Sequence, residues 1–362
     1  MLYLLLYPLA DKIHFFNLFR YITFRSAYAL VTALLISFLI GPYMIRWLKK
    51  LRIGDIGRED TPDHHKKKAG TPTMGGLIIL ASIIIPVLLW ADLTNRYIQI
   101  ASVVTICLAA IGFSDDYLKV VKKQPKGLVG RKKLAWQIVL SVIIGAILVI
   151  YPLNPEFATK TNFLFFKNIF INLAWWMFIP FVVMVIVGTS NAVNLTDGLD
   201  GLAIGVVLFA AAAYAVMCYF AGNFKLASYL NIIFMKGSGE LTIFCSAIVG
   251  ASLGFLWYNA HPAEIMMGDT GSLALGGAIG TTAVLIKQEI LLLIVGGVFV
   301  MEALSVILQV ASFKMTGKRI FKMAPIHHHF TLMGWSEEKI VTRFWIIALI
   351  CALVALSTLK IR

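Results

Sequence analysis

Five aspartates sit where apolar stretches of this chain give way to short polar motifs: Asp115, Asp116, Asp197, Asp200 and Asp269. Charge is costly near lipid, so an acid placed this way in so apolar a chain is a candidate for function. In Gly112-Phe113-Ser114-Asp115-Asp116-Tyr117 two carboxylates are adjacent. They repel, and under burial both stay ionised only if a cation neutralises them. A hard cation such as Mg2+ suits that task, because it takes carboxylate oxygens and substrate phosphates without a full protein cage. The plain alternative for the pair is a solvated helix end. The chemistry the aspartates suggest together is binding of a divalent metal and a phosphorylated substrate.

Three further motifs add to that chemistry. The run Asn191-Ala-Val-Asn194-Leu-Thr196-Asp197-Gly-Leu-Asp200-Gly201 joins two apolar stretches. Asp before Gly is ordinary turn and cap chemistry. Two Asp three apart nevertheless share a face in helical backbone, and the two Asn offer neutral donors and acceptors for a base or sugar. Asn259 and Met267-Gly268-Asp269-Thr270-Gly271-Ser272 flank the start of another stretch. The small neighbours of Asp269 leave room for a ligand, although Asp and Thr also cap helices. In Pro325-Ile326-His327-His328-His329-Phe330, three consecutive imidazoles do not converge naturally on one tetrahedral ion. Donation to phosphate oxygens fits them better than zinc. Finally, Lys66-Lys67-Lys68-Ala-Gly70-Thr-Pro72-Thr-Met-Gly75-Gly76 sets lysines before a glycine-rich entry. It lacks the Walker order.

The elements that must carry these motifs are membrane helices. The composition is 59% hydrophobic and 14% charged, far from a soluble domain. Ten segments of about 20 apolar residues are expected near 26–47, 73–92, 97–114, 134–152, 171–190, 201–221, 240–259, 270–286, 290–312 and 341–359. The eighth and ninth are separated only by Lys287-Gln288-Glu289. The net charge of +14 reads as membrane orientation and attraction to anionic headgroups, not as nucleic-acid binding. The linkers after the first, third and ninth segments hold 21 of the 32 basic residues, so that face is expected to be cytoplasmic and both termini periplasmic. Every polar motif above then reaches the same face. Residues 1–25 are aromatic and basic, which suits an interfacial segment. Cys107, Cys218, Cys245 and Cys351 lie in apolar segments without ligand spacing and read as core residues. The fold expected is an all-α polytopic helix bundle, residues 1–362 forming a single transmembrane transferase domain.

Carboxylates, lysines and imidazoles at a membrane surface suit transfer between two anionic phosphates, where charge neutralisation matters most. With the motifs in place, the chain resembles the polyprenyl-phosphate N-acetylhexosamine-1-phosphate transferases over essentially its full length. The resemblance rests on Lys68 to Gly76, Gly112 to Tyr117, Asn191 to Gly201, Met267 to Ser272 and Pro325 to Phe330. The His-His-His-Phe form and the Gly-Thr-Pro-Thr-Met-Gly-Gly run favour the muramoyl-pentapeptide branch. Two positions depart from the pattern: Thr331, where an acid is expected, and Met266, where an aromatic able to stack on uracil is common.

The resemblance implies transfer of phospho-MurNAc-pentapeptide from UDP-MurNAc-pentapeptide to undecaprenyl phosphate, giving lipid I and UMP, in a bacterial inner membrane. It also implies Mg2+ and a homodimer. By the same resemblance Asp269 binds the metal, and Asp115 and Asp116 bind metal or activate the lipid phosphate. Lys68, Asn191, Asn194, Asp197, Asp200 and Asn259 belong to the nucleotide-binding set. His327, His328 and His329 contact substrate phosphates or sugar, with Lys132 as an added phosphate ligand. Glu302, an acid inside the ninth segment, has no assigned role. Two other readings compete: a sibling transferase using UDP-N-acetylglucosamine, and a transporter, which would place acids near the bilayer midplane.

Overall fold

A computed structural model describes residues 1–50, 71–124, 127–162 and 170–361. Each of the ten apolar segments becomes a helix. They are α1 (Ile22–Lys50), α2 (Gly76–Trp90), α3 (Arg96–Val120), α4 (Gly130–Ile150), α5 (Trp175–Thr196), α6 (Leu202–Gly222), α7 (Leu241–Asn259), α8 (Gly268–Leu285), α9 (Gly297–Thr316) and α10 (Glu337–Ile361). Eight of the described helices are long and apolar enough to cross a membrane. The chain is thus a multi-pass helical membrane protein.

The two helices outside those eight have separate reasons. α2 has 15 residues, about 22 Å of rise, and residues 71–75 before it are not helical. α8 carries Asp269, Thr270, Ser272, Thr281 and Thr282, which lower its hydropathy. It can carry them because it never meets lipid: every residue from Thr270 to Leu285 is buried. Small residues let backbones approach closely between membrane helices, and α8 uses them. A side chain at Gly76 would strike the backbone of Gly271, and one at Gly112 would strike the carbonyl of Asp269. α2 and α3 therefore close directly on the start of α8. The faces of the outer helices, by contrast, present large apolar residues such as Leu39, Val142, Met184 and Ile350.

The passage from α8 to α9 is not a simple hairpin. Lys287, Gln288 and Glu289 are buried, and the short helix Leu292–Val295 precedes α9. A second short helix, Ile326–Leu332, lies between α9 and α10 and carries the His triplet. Beyond α4, β1 (Lys160–Asn162) pairs antiparallel with β2 (Phe170–Asn172). The N-terminal residues form Leu2–Leu6 and two 3-10 turns. They leave Leu4, Leu5, Ile13 and Phe15 exposed, while Phe19 stacks on Trp90.

Candidate active site

The sequence motifs meet where α3 and α5 end and α4 and α8 begin. Asp269, second residue of α8, stands at the centre. Its Oδ2 accepts from Lys119 Nζ at 3.0 Å and Lys133 Nζ at 2.8 Å. Its Oδ1 accepts from Asn194 Nδ2 at 2.7 Å. Across the lysines lies Asp115, whose Oδ2 is 2.7 Å from Lys119 Nζ and 3.6 Å from Lys133 Nζ. Its Oδ1 accepts from the Leu128 amide at 2.6 Å. Two carboxylates therefore share the same two ammonium groups.

Asp116 does something else. Its oxygens accept from the amides of Asp269 (3.1 Å) and Thr270 (2.9 Å) and from Thr270 Oγ1 (2.6 Å). It caps α8 from α3, satisfying amides that a helix start leaves open. The hydrogen bonds that Asp116 accepts tie it to the start of α8, a structural role beside the one expected of it as a metal ligand. Gly268 makes the cap possible, at φ +75 with Asp116 Oδ2 where its Cβ would be.

Lys119 and Lys133, neither of them singled out from the sequence, are the lysines that contact these carboxylates. Lys132 is exposed, and its neighbour Lys133 turns inward. A residue's step around a helix is about 100°, and sequence position alone does not say which of two adjacent lysines faces in. Lys119 escaped notice because α3 runs to Val120, past the expected end near 114. Its i, i+4 spacing from Asp115 was the available signal.

The Asn191–Gly201 motif divides. Asn194 touches Asp269 and also donates to Ser272 Oγ at 2.8 Å. Asn191 donates to Gln137 Oε1 at 2.6 Å and Val187 O at 2.8 Å, away from the carboxylates. Asp197 follows α5. Burial, then the charges of Asp269 and Asp116, push its carboxyl up to about 8. A carboxylate held that high beside other acids is in a place short of positive charge.

Asp200 lines an adjoining cavity of about 390 Å³, together with Thr71, His261, Met266, Trp335 and Glu337 among others, and Asn259 stands behind it. Asn259 braces its wall: Oδ1 accepts from the Gly201 amide at 3.0 Å and Nδ2 donates to Ile265 O at 2.8 Å. His261 stands within 3.1 Å of Asp200 and 3.6 Å of Glu337. Among the described residues, Asp200, His261 and Glu337 form a set of close potential ligand atoms. They are not the set expected for metal.

Of the His triplet, His327 is fully buried and abuts Gly198. His328 packs against it with the rings tilted by 55° and their centres 4.1 Å apart. His329 turns back on its own loop, its Nδ1 accepting from the Lys322 amide at 3.1 Å. Lys68 lies outside the described residues.

The donors present fit Mg2+. Asp115 and Asp269 supply hard oxygen ligands, and the shared ammonium groups mark a point where positive charge is favoured. The cation-poor position of Asp197 agrees.

Comparison with known proteins follows the same motifs. The model for glycosyl transferase family 4 matches residues 98–287. Signature 1 of phospho-N-acetylmuramoyl-pentapeptide-transferase matches residues 68–80. A phospho-N-acetylmuramoyl-pentapeptide-transferase of Citrifermentans bemidjiense is 58% identical over 362 residues, the whole of both chains. The chain belongs to the phospho-N-acetylmuramoyl-pentapeptide-transferase family. The proteins of that name from Geobacter sp. (strain M21) and Desulfatibacillum aliphaticivorans are 58% and 57% identical, again over the whole of both chains. With family membership the glycine-rich entry gains a physical reading: residues 71–76 tie the 266–267 segment to α2. Met266 N donates to Pro72 O, and the amides of Gly75 and Gly76 donate to Met266 O and Met267 O at 2.9 and 2.8 Å.

Proposed function

We propose that this protein transfers phospho-MurNAc-pentapeptide from UDP-MurNAc-pentapeptide to undecaprenyl phosphate, releasing UMP and leaving lipid I, at the cytoplasmic face of a bacterial inner membrane. The observation that carries the proposal is the pairing of Asp115 and Asp269 across Lys119 and Lys133, in a chain that belongs to this transferase family. A phosphate oxygen of the lipid attacks the sugar-linked phosphorus of the donor. The new bond is lipid phosphate oxygen to that phosphorus, and the bond to the UMP phosphate oxygen breaks.

Asp269 and Asp115 would hold Mg2+, which supplies charge neutralisation to the pyrophosphate. Lys119 and Lys133 take the remaining negative charge, exchanging carboxylate for phosphate oxygens. Asn194 fixes Asp269 by donating to one oxygen, and Asp116 fixes it by holding the backbone on which it stands. Asp115 is the group positioned to accept a proton from a singly ionised lipid phosphate. The cavity lined by Asp200, His261 and Met266 is the place for the nucleoside.

The test is a transfer assay on the purified full chain with Mg2+, undecaprenyl phosphate and either radiolabelled UDP-MurNAc-pentapeptide or UDP-N-acetylglucosamine. Lipid-linked muramoyl product with stoichiometric UMP is expected. Product from UDP-N-acetylglucosamine alone would assign the chain to the sibling reaction. A phospho-enzyme trapped from the donor without lipid would replace direct attack by a two-step route.

A further inference from the structure

Glu302 is an acid inside α9 with no exposed surface, and the transfer reaction as described gives it no task. Its Oε1 lies 3.1 Å from Nδ1 of His327, which is also fully buried. Among the described residues, neither Glu302 oxygen nor either His327 nitrogen makes an aligned hydrogen bond, to each other or elsewhere, so the 3.1 Å approach is a charge contact between groups with open bonding capacity. An ionisable pair withdrawn from water this completely is costly to keep, and intramembrane acids are functional candidates by default. The far edge of the same ring meets the Asp197–Gly201 turn: a Cβ on Gly198 would fall on His327 Nε2. Gly198 follows Asp197 in the chain, and the turn is held from its other side by Trp345 Nε1 donating to Gly201 O at 3.2 Å. The second face of the contact runs through His328, whose ring packs at a tilt against His327.

We propose that Glu302 and His327 form a positioning pair for the transfer site. Glu302 keeps a proton on Nδ1 of His327 and fixes the plane of the ring. The ring then sets the Asp197–Gly198 turn and, through the tilted ring contact, the half-exposed His328. His327 is thereby a positioning residue rather than a substrate contact, since it has no surface to offer. This rests on the proposed transferase reading and extends it to two residues that touch no substrate.

The pair makes a specific prediction about which kinetic constant moves. Turn displacement disturbs groups beside the reacting phosphates, so kcat should fall while the donor KM holds. A misplacement on the order of 1 Å at such a site costs roughly a hundredfold. Glu302→Leu removes the acceptor at similar volume and should lower kcat by about ten- to a hundredfold, with donor KM within about threefold. Glu302→Gln keeps an oxygen that can accept from Nδ1 and should recover most of that loss. His327→Leu should resemble Glu302→Leu, and the double variant should be no worse than the poorer single one. Gly198→Ala, which pushes on the ring from the turn side, should give the same kcat-selective loss. It serves if Glu302→Leu does not fold.

Wild-type transfer measured alongside separates the two claims, because an inactive wild type strikes the transferase reading itself. With an active wild type, unchanged kcat in Glu302→Leu overturns the pair, as do losses in the two single variants that multiply in the double. A Gln variant no better than Leu, or a loss carried by KM, does the same.

Discussion

The charged groups at the two ends of the bundle are arranged on different principles. At the end remote from Asp269, Arg25 meets Glu240 through two hydrogen bonds of 2.8 and 2.6 Å, and Glu240 Oε2 also accepts from the Asp92 amide at 2.9 Å. One planar cation faces one carboxylate, with side chains only 3% and 11% exposed. Other groups at this end are hydrogen-bonded too, although among the described residues Arg25 Nε and Glu289 Oε1 keep no partner. The N-terminal amine donates to Leu88 O at 2.7 Å, and Thr161 donates to the buried Glu289 at 2.6 Å. At the Asp269 end, two lysines are shared between two carboxylates, with Asp197 close by and less well compensated. Arg fixes geometry through its rigid fork, whereas Lys is a point charge on a flexible stem. One end is built to stay as it is. The other is built from partners that can be exchanged for phosphate.

The comparison breaks if the two ends respond alike to mutation. Glu240→Ala leaves Arg25 buried without its partner and should cost about 3–5 kcal/mol of stability. Unfolding in detergent by heat or denaturant measures this, and transfer per folded molecule should stay within about twofold of wild type. A variant of unchanged stability, or one folded but inactive, would erase the distinction between the ends. Asp269→Asn should do the opposite. It should lose on the order of a hundredfold in kcat, the cost of one preorganised electrostatic contact, while keeping a cooperative melt. Full activity in that variant would remove Asp269 from the centre of the site.

Lysine exchange sharpens the same contrast on a smaller scale. Lys133→Ala should cost about tenfold in kcat, equivalent to roughly 1.4 kcal/mol of transition-state contact. Lys132→Ala, one residue away on the exposed side of α4, should remain within about twofold. Equal losses would mean that bulk positive charge at this surface, not the Asp269 contact, is what the reaction uses.

How far sequence reading reached follows the physics of each feature. Apolar length found all ten helices, because lipid forces every spanning backbone to satisfy itself internally. The sorting of basic linkers brought Asp115, Asp197, Asp269 and His327 to one end, as the chain of contacts through Gly198, Gly268 and Lys119 reproduces. Rotation about a helix axis is not legible in sequence, so the inward turn of Lys133 beside Lys132 does not show there. Neither is tertiary capping, since the amides of α8 that Asp116 accepts from lie 153 and 154 residues away. The same blindness hid Glu302, whose partner lies 25 residues on in a helix of only seven residues. Asn259 was chosen for the right place, but its amide holds the cavity wall together.

Asp197 offers the finest test, because its prediction depends on pH. An unfolded Asp titrates near about 3.9, and here the folded group is pushed up to about 8. Between those values the folded chain holds a proton that the unfolded chain has released, so this group makes stability fall as pH rises. Asp197→Asn removes that slope and nothing of similar size. Its melting temperature should exceed that of wild type, and the gap should widen from pH 6 to pH 8, by up to about 1 kcal/mol per pH unit. Above pH 8 the gap should level off. Mg2+ favours the ionised form of nearby carboxylates, so adding it should narrow the gap in wild-type comparison while leaving the variant's own melt nearly flat with pH. A gap that ignores pH would place Asp197 in a solvated turn, and the shortage of positive charge that distinguishes this end from the Arg25 end would then lie with Asp115 and Asp269 alone.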